Sequence, residues 1–241
     1  MECFRNVKPE WKTSRSYVTE ADIAVQTTLR RQLQERFPDD GVIAEEMDLR
    51  VVPASGDRHW IIDPIDGTAS FVAGLPVWGI GIARVEDYIP TCGFFYIPMT
   101  GDYYSATPDG GVRLNGEPAT MKAPRDMHME SLMLSYSRVH RKYRLAPEYP
   151  GKMRSLGSTI AHMCFAATGG ADVALLGRVH LWDLAPGLAL LRQNGGVLRY
   201  LHGPPVDLRD LFAGAQARAE MICGHPDAVT RFEAMLTPIG R

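Results

Sequence analysis

The sequence predicts a protein of mixed α and β structure, in which an α+β half precedes a smaller half of alternating helices and strands. Three observations support this prediction. A helical repeat of apolar residues covers positions 19–37, short strands fill positions 79–135, and helices alternate with strands beyond position 154. We expect the whole chain to form one unit, whose halves, residues 1–135 and 154–241, are joined by the polar, proline-containing stretch 136–153.

The first predicted helix begins at Thr19, where Asp22 three residues later nearly completes a capping box, and it ends before Pro38. One face of this helix has an apolar residue at every fourth position, namely Val25, Leu29, Leu33 and Phe37. The short apolar runs 41–44 and 60–63 then predict two buried strands, and acids stand at the end of both runs.

The middle of the chain predicts a β-meander. Its strands are expected at 79–85, 91–97, 102–106 and near residue 112. Asn115-Gly116 provides the residues of a type I′ hairpin turn. In the second half, helices are expected at 158–167, 183–193 and 227–236, and strands at 171–176, 197–201 and 221–223.

The composition excludes several classes of protein. Apolar residues make up 45 % and charged residues 22 %, and the formal net charge is −2 without a run of like charges, so no nucleic-acid partner is expected. The N-terminus lacks the apolar segment of a secretory signal, and no run reaches the roughly 18 apolar residues of a membrane span. We therefore expect a cytoplasmic protein without a membrane partner. Reduced, mostly buried thiols are expected for the four well-separated cysteines, Cys3, Cys92, Cys164 and Cys223.

The segment WIIDPIDGT, residues 60–68, gives the clearest indication of chemistry. An apolar strand delivers Asp63 and Asp66 into a turn that contains proline and glycine, and buried acids are unfavourable unless a cation neutralises them. Gly67 and Thr68 can present backbone N–H groups to an anion such as phosphate. Taken alone, the motif would also fit a solvated Asx turn that connects two strands.

Further acids follow other buried elements. Glu45 and Glu46 come after a predicted strand, and Asp183 follows Trp182 at the start of a predicted helix. Together with the two aspartates of the DPID segment, they predict a cage of oxygen ligands, which suits Mg²⁺ or Mn²⁺ better than zinc. For Glu46 an indirect or solvated role is expected, because neighbouring residues of a strand face opposite sides. For His180, packing or a local hydrogen bond is expected rather than metal binding.

Six segments occur in the order and at about the spacing of the inositol monophosphatase family, which the chain resembles from about residue 18 to residue 200. They are VTEAD (18–22), AEE (44–46), DPIDGT (63–68), MRSLGST (153–159), TGGAD (168–172) and WDLAPGLALLRQNGG (182–196). The resemblance implies the layered αβαβα sandwich of the inositol monophosphatase/fructose-1,6-bisphosphatase type, with the site between the halves. It also implies a homodimer.

The resemblance implies a set of metal ligands as well. Glu45, Asp63 and the carbonyl oxygen of Ile65 would bind a first Mg²⁺ ion, and a second would be bound by Asp63, Asp66 and Asp183. Mn²⁺ could replace Mg²⁺, since both prefer oxygen ligands.

The implied reaction is hydrolysis of a small phosphate monoester, such as an inositol phosphate or a related polyol or sugar phosphate. Asp22 and Thr68 would form a hydrogen-bonded pair that orients the attacking water, with Glu45 acting through the metal. The backbone amides of Gly67 and Thr68 would hold the phosphate. Metal-activated water would attack in line, without a covalent enzyme intermediate.

The chain departs from the family pattern in three places. Only 17 residues precede the VTEAD segment, so the family's opening helix is expected to be short or missing, and Lys8 and Lys12 could supply charge near the site. Ser70 replaces the usual asparagine after DGT. Leu176, seven residues before Asp183, replaces a common glutamate that hydrogen-bonds a substrate hydroxyl, which puts the family's namesake substrate in doubt.

The pocket for the alcohol part of the substrate is expected to involve Ser155, Thr159, Leu176 and Arg178. The segment FVAGLPVWG, residues 71–79, is similar to histidinol-phosphate phosphatases, so this activity is the main alternative within the superfamily. A nucleotide or fructose bisphosphatase is a further alternative within the superfamily. An alternative of another class is a regulatory protein of the same fold that binds a partner.

Overall fold

The structure, a computed structural model, describes residues 4, 9–11, 17–46 and 57–239. The elements of the first part of the chain are β1 (Glu10–Trp11), β2 (Tyr17–Val18), α1 (Glu20–Arg36), β3 (Gly41–Ala44), β4 (Arg58–Asp66), α2 (Thr68–Val72), β5 (Gly79–Glu86), β6 (Ile89–Ile97), β7 (Asp102–Thr107), β8 (Gly111–Leu114) and β9 (Glu117–Pro118). Those of the second part are β10 (Leu132–Ser135), a 3₁₀ helix (Val139–Arg141), β11 (Tyr143–Leu145), β12 (Lys152–Arg154), α3 (Thr159–Ala167), β13 (Val173–Leu176), α4 (Leu181–Gln193), β14 (Val197–Tyr200), α5 (Arg209–Phe212), β15 (Met221–Gly224), α6 (Pro226–Glu233) and β16 (Leu236–Pro238).

Two main sheets contain most of these strands. The first has seven strands in the order β3-β4-β5-β6-β7-β8-β9, in which β3 and β4 are parallel and the remaining neighbours are antiparallel. The second has five strands in the order β12-β10-β13-β15-β14, with β10 parallel to both of its neighbours. Two-stranded sheets are formed by β1 with β2 and by β11 with β16.

The helices lie in layers around these sheets. Along β4, Trp60 and Ile62 pack towards Leu29 and Leu33 of α1, while Ile61 points into the central core that contains α3 and α4. Helix α6 packs on the other face of the five-stranded sheet. A strand covered on both faces has a continuous apolar run, which explains the sequence of β4. The order helix, sheet, helices, sheet, helix confirms the predicted αβαβα sandwich.

Helix α4 lies unusually close to the first sheet. A Cβ atom at Gly93 of β6 would come within 2.4 Å of the carbonyl oxygen of Pro186, so only glycine fits at this contact. Since α4 carries Asp183 in its first turn, this contact helps to fix that carboxylate relative to the sheet.

Most elements lie where the sequence predicts them, including α1, β3 and the β5–β8 meander. Asn115 and Gly116 both have positive φ angles, 53° and 85°, as the type I′ turn requires. Cys164 and Cys223 are buried free thiols, Cys92 is a half-buried free thiol, and Cys3 is outside the described residues. None of the helices in the described ranges is long and apolar enough to span a membrane.

The predicted joining stretch 136–153 is not where the chain passes from one sheet to the other. β10 already pairs with β12 and β13, so the crossing takes place between β9 and β10. The polar composition of 136–153 instead reflects its course over the surface, where it contributes β11 and two residue pairs of the β10–β12 pairing. That residues 1–135 and 154–241 form two distinct halves stays a prediction.

Candidate active site

Two aspartates lie at the end of β4, where its pairing with β5 becomes irregular. Asp63 is opposite Gly81 and Asp66 is opposite Gly79, so Pro64 and Ile65 bulge out of the regular register. Residues three apart in a regular strand point to opposite faces. The irregularity places both carboxylates in the same buried site, where Asp63 is 1 % and Asp66 is 5 % exposed.

Asp183 completes this group from the other side. It lies in the first turn of α4, where one of its carboxylate oxygens accepts a hydrogen bond of 2.7 Å from the backbone N–H of His180. Asp63, Asp66 and Asp183 each offer an oxygen within 4.8 Å of those of the other two. His180 stacks on Trp182 with ring centroids 4.8 Å apart, in agreement with the predicted packing role.

Asp66 also joins the site to the beginning of α3. Its carboxylate accepts hydrogen bonds from the hydroxyl of Ser158 at 2.5 Å, from the backbone N–H of Ile160 at 2.6 Å and from that of Thr159 at 3.1 Å. The first N–H groups of a helix have no partner within the helix and favour negative charge nearby. α3 therefore holds one carboxylate of the group in a fixed orientation.

The acids are mutually repulsive and poorly hydrated. Burial raises the pKa of Asp63 well above its usual value, and the charges of Glu45, Asp66, Asp183 and Asp22 raise it further. Burial also raises the pKa of Asp66 to about 6, although its hydrogen bonds from α3 act in the opposite direction. A positive charge among these carboxylates would therefore stabilise the folded protein.

The group fits a hard divalent cation. Oδ1 of Asp63 is buried and has no hydrogen-bond partner in the described part of the chain. Neither Asp63 nor Asp66 forms an ion pair with a lysine or arginine among the described residues. A buried carboxylate oxygen without a partner is unfavourable, whereas oxygen-only sites are typical of Mg²⁺ and Mn²⁺. Asp63, Asp66 and Asp183 could hold such an ion.

Glu45 lies beside this group. It directly follows β3, and its backbone N–H donates a 3.3 Å hydrogen bond to the carbonyl of Ile62 on β4. Its negative charge raises the pKa of both Asp63 and Asp66, so the carboxylate is near them. The backbone N–H of Glu46 instead donates to the Gln26 side chain on α1 at 2.9 Å.

Asp22 and Thr68 approach each other as predicted, but their direct contact is long. Asp22 is fully buried and accepts hydrogen bonds from the N–H and the hydroxyl of Thr19, at 2.8 and 2.6 Å. The hydroxyl of Thr68 is 3.5 Å from Asp22 Oδ1 and only 3.0 Å from the carbonyl oxygen of Ile65. Its single hydrogen therefore serves the shorter bond to Ile65.

Gly67 lies in a conformation that favours glycine. Its φ is +91°, and a Cβ atom there would be 3.0 Å from the carbonyl oxygen of Gly157. The turn can thus expose the backbone N–H groups of Gly67 and Thr68 close to the carboxylates. Ser70, which replaces the family's asparagine, is buried at the contact with Gly157.

A small cavity of about 120 Å³ lies next to the start of α3. Three of the four residues predicted for the alcohol pocket line it, namely Ser155, Thr159 and Leu176. Arg178 does not, because its Nε donates a 3.0 Å hydrogen bond to the carbonyl of Ala217 outside the cavity lining. Lys8 and Lys12 are outside the described residues.

Six further residues line the cavity. The polar ones outside the MRSLGST segment are Tyr136, Ser137 and His162, none of which was singled out from the sequence. The hydroxyls of Ser137 and Ser155 are 3.1 Å apart, and Nε2 of His162 accepts a 3.0 Å hydrogen bond from the backbone N–H of Leu156. Burial lowers the pKa of His162 to about 4, so its imidazole is neutral near pH 7. No sequence signal marks these residues, since two of them lie in the polar stretch and the third is on an apolar helix.

Comparisons with known proteins agree with this geometry. The chain matches the model of the inositol monophosphatase family over residues 3–228. Histidinol-phosphatase from Chlorobaculum parvum is 32 % identical over 189 residues, covering 74 % of this chain and 70 % of the relative. Inositol monophosphatase 1 from Homo sapiens is 30 % identical over 208 residues, covering 79 % of this chain and 73 % of the relative.

Solved structures support the same assignment. The inositol monophosphatase (IMPase) of Thermotoga maritima has a TM-score of 0.80 and 27 % identity, covering 97 % of this chain and 90 % of that chain. An IMPase/NADP phosphatase complexed with Mg²⁺ and phosphate also has a TM-score of 0.80, covering 97 % and 87 %, but its 19 % identity supports the fold alone. Because the family model spans nearly the whole chain and both relatives match over about three quarters of it, the chain belongs to the inositol monophosphatase family and is a hydrolase of phosphate monoesters.

Proposed function

We propose that this phosphatase hydrolyses a small polyol or sugar phosphate with Mg²⁺ at the Asp63–Asp66–Asp183 group. The observation that carries the proposal is the buried Oδ1 of Asp63, which has no hydrogen-bond partner within the described residues and lies close to the carboxylates of Asp66 and Asp183. Glu45 and the Ile65 carbonyl are proposed as further ligands. Mn²⁺ is an acceptable substitute because it prefers the same oxygen donors.

A bound cation would supply the positive charge that neutralises the phosphate and makes a nearby water more acidic. The protein's own groups would then arrange the reactants. The Thr68 hydroxyl donates its hydrogen to Ile65, so its lone pairs are available to accept a hydrogen bond from the attacking water. Asp22, 3.5 Å away, would orient the same water, with Glu45 acting from the metal side. The N–H groups of Gly67 and Thr68 would hold the phosphate oxygens.

The cavity beside α3 is the proposed place for the alcohol part of the substrate. Its polar lining consists of hydroxyls and the neutral His162, and no acidic side chain lines it among the described residues. Leu176 stands where relatives commonly place a glutamate. Such an uncharged lining favours a neutral alcohol over an ammonium-bearing one. Arg178 is proposed as a structural residue, because its Nε is bound to Ala217.

Histidinol-phosphate phosphatase is the second candidate. The 32 % identity to the Chlorobaculum parvum enzyme favours it, together with the similar segment 71–79. A homodimer and a cytoplasmic location are also proposed, from the resemblance and the composition respectively.

Phosphate release from a panel of substrates tests both candidates. The panel contains inositol 1-phosphate, histidinol phosphate, fructose 1,6-bisphosphate, 3′-phosphoadenosine 5′-phosphate and glycerol 2-phosphate, each assayed with Mg²⁺ and with EDTA. We expect magnesium-dependent release that is fastest with a polyol or sugar phosphate. Preference for histidinol phosphate would select the second candidate, and release that EDTA does not reduce would contradict the metal mechanism.

His162 is expected to affect substrate binding more than the chemical step. It holds the backbone of Leu156 in the segment that borders the cavity, while the carboxylates are held by other contacts. Replacing His162 with leucine removes the acceptor, and we expect KM to rise about tenfold with a smaller change in kcat. His162→Gln keeps an acceptor and should recover most of the affinity. Equal KM values for both variants would contradict this role.

A further inference from the structure

A second, larger cavity lies away from the carboxylates, at the free edge of the five-stranded sheet. Its volume is about 340 Å³, and α4, β14 and the start of α6 surround it. β14 is an edge strand of this sheet. Residues 204–206 approach its outer side, where the N–H of Tyr200 donates a hydrogen bond to the carbonyl of Pro204 and the N–H of Val206 donates one to the carbonyl of Leu198. The α4 residues in the cavity follow Asp183 by up to nine positions, which is about 13 Å along the helix.

The charge of the lining is positive. Arg192 is exposed in the last turn of α4, and its guanidinium group forms no ion pair or hydrogen bond with any described residue. Arg199 pairs with Glu233 at 2.5 Å through one terminal nitrogen, but its Nε is buried without an acceptor in the described part of the chain. Among the residues that the structure describes, no acid belongs to the lining. One arginine charge and one buried N–H therefore remain without a partner at the same cavity.

The rest of the lining is largely apolar. Leu188 comes from α4, Val197 and Leu198 from β14, Val206 from the loop that approaches the edge, and Val229 from α6. The volume is within the range of small-ligand pockets, which combine apolar walls with a few polar groups that fix orientation. A cavity with apolar walls and arginine side chains is complementary to a molecule that has one anionic head group and a short apolar body.

We propose that this cavity is a binding site for a small amphipathic carboxylate, whose head group pairs with Arg192 and Arg199 and whose apolar part lies against the valine and leucine side chains. The planar guanidinium group suits a carboxylate because both can form two parallel hydrogen bonds. The proposal is independent of the phosphatase substrate, since none of these residues belongs to the carboxylate group or to the cavity beside α3.

Titration of the full-length, Mg²⁺-loaded protein with hexanoate, followed by methyl NMR, tests this site. We expect saturable shifts at the methyl groups of Leu188, Val197, Leu198, Val206 and Val229. Acetate has the same head without the apolar body, and hexanol has the body without the charge. Both should bind at least about tenfold more weakly than hexanoate.

Arg192→Gln is the decisive variant, because an exposed arginine can be replaced without disturbing the core. It should weaken hexanoate binding about tenfold, the usual effect of losing one charge-assisted contact. Arg36→Gln is a matched control, since Arg36 is also exposed, lies in the last turn of α1 and has no partner among the described residues. The proposal is overturned if hexanoate shifts are not saturable, if they occur instead around Asp63, or if both variants bind hexanoate equally.

Discussion

Replacing Asp63 with asparagine is expected to lower kcat/KM by at least about a thousandfold, because the proposed metal loses its most buried ligand. The same change should raise the melting temperature of the metal-free protein by a few degrees at about pH 7.5. Asparagine removes a buried charge that burial and four neighbouring acids destabilise. Activity and stability would thus change in opposite directions, as is common at functional sites.

The expected behaviour of Asp63→Asn is specific to the site. Asp109→Asn, at an exposed turn between β7 and β8, serves as a control and should change neither property. Steady-state kinetics with the best substrate and thermal unfolding in EDTA provide the two measurements. A metal-free Asp63→Asn protein that is less stable than the wild type would argue that the carboxylate has a structural role in the absence of metal.

Stabilisation by Mg²⁺ is expected to depend strongly on pH. Burial raises the pKa of Asp66 to about 6 and raises that of Asp63 well above its usual value. In the metal-free protein, the protonated carboxyl groups stabilise the folded state at pH values below their unfolded-state pKa of about 4. This stabilisation is lost as the pH rises through the folded-state pKa, which is about 6 for Asp66. Mg²⁺ competes with these protons. Its effect on the melting temperature should be several degrees at about pH 7.5 and close to zero at about pH 5.

The comparison with and without Mg²⁺ at each pH removes contributions from other groups. His162, whose pKa is lowered to about 4 by burial, favours the folded state more as the pH rises, which is the opposite direction. Its contribution is the same in both samples and cancels in the difference. An equal Mg²⁺ effect at both pH values would show that the bound ion does not displace protons from this group.

Local patterns predicted much of the fold. The period of apolar residues in α1 and the Asn115-Gly116 turn depend on neighbours in sequence, and both are confirmed. The point at which the chain crosses between the sheets has no such local signal, because the membership of β10 in the second sheet depends on its pairing with β13, about 40 residues later. Polarity and prolines marked a surface path, which is not the same as a boundary between sheets.

Some features of the candidate site could also be predicted from the sequence, and others only become visible in the structure. Asp63, Asp66 and Asp183 could be selected from the sequence because acids at the ends of apolar runs are unusual, and the structure brings them together. The contact of Asp66 with the start of α3 spans more than 90 residues and has no local signal. Arg178 was predicted to line the cavity because it is close to Leu176 in the sequence, but its side chain lies outside the cavity lining.

Direct titration with Mn²⁺, followed by its electron paramagnetic resonance signal, tests the central claim that the acidic group holds a catalytic metal. We predict saturable binding by the wild type, competition by Mg²⁺, and loss of most of the binding in Asp63→Asn but not in Asp109→Asn. Binding that is unchanged in Asp63→Asn, or no binding by the wild type at concentrations that support phosphate release, would contradict the account.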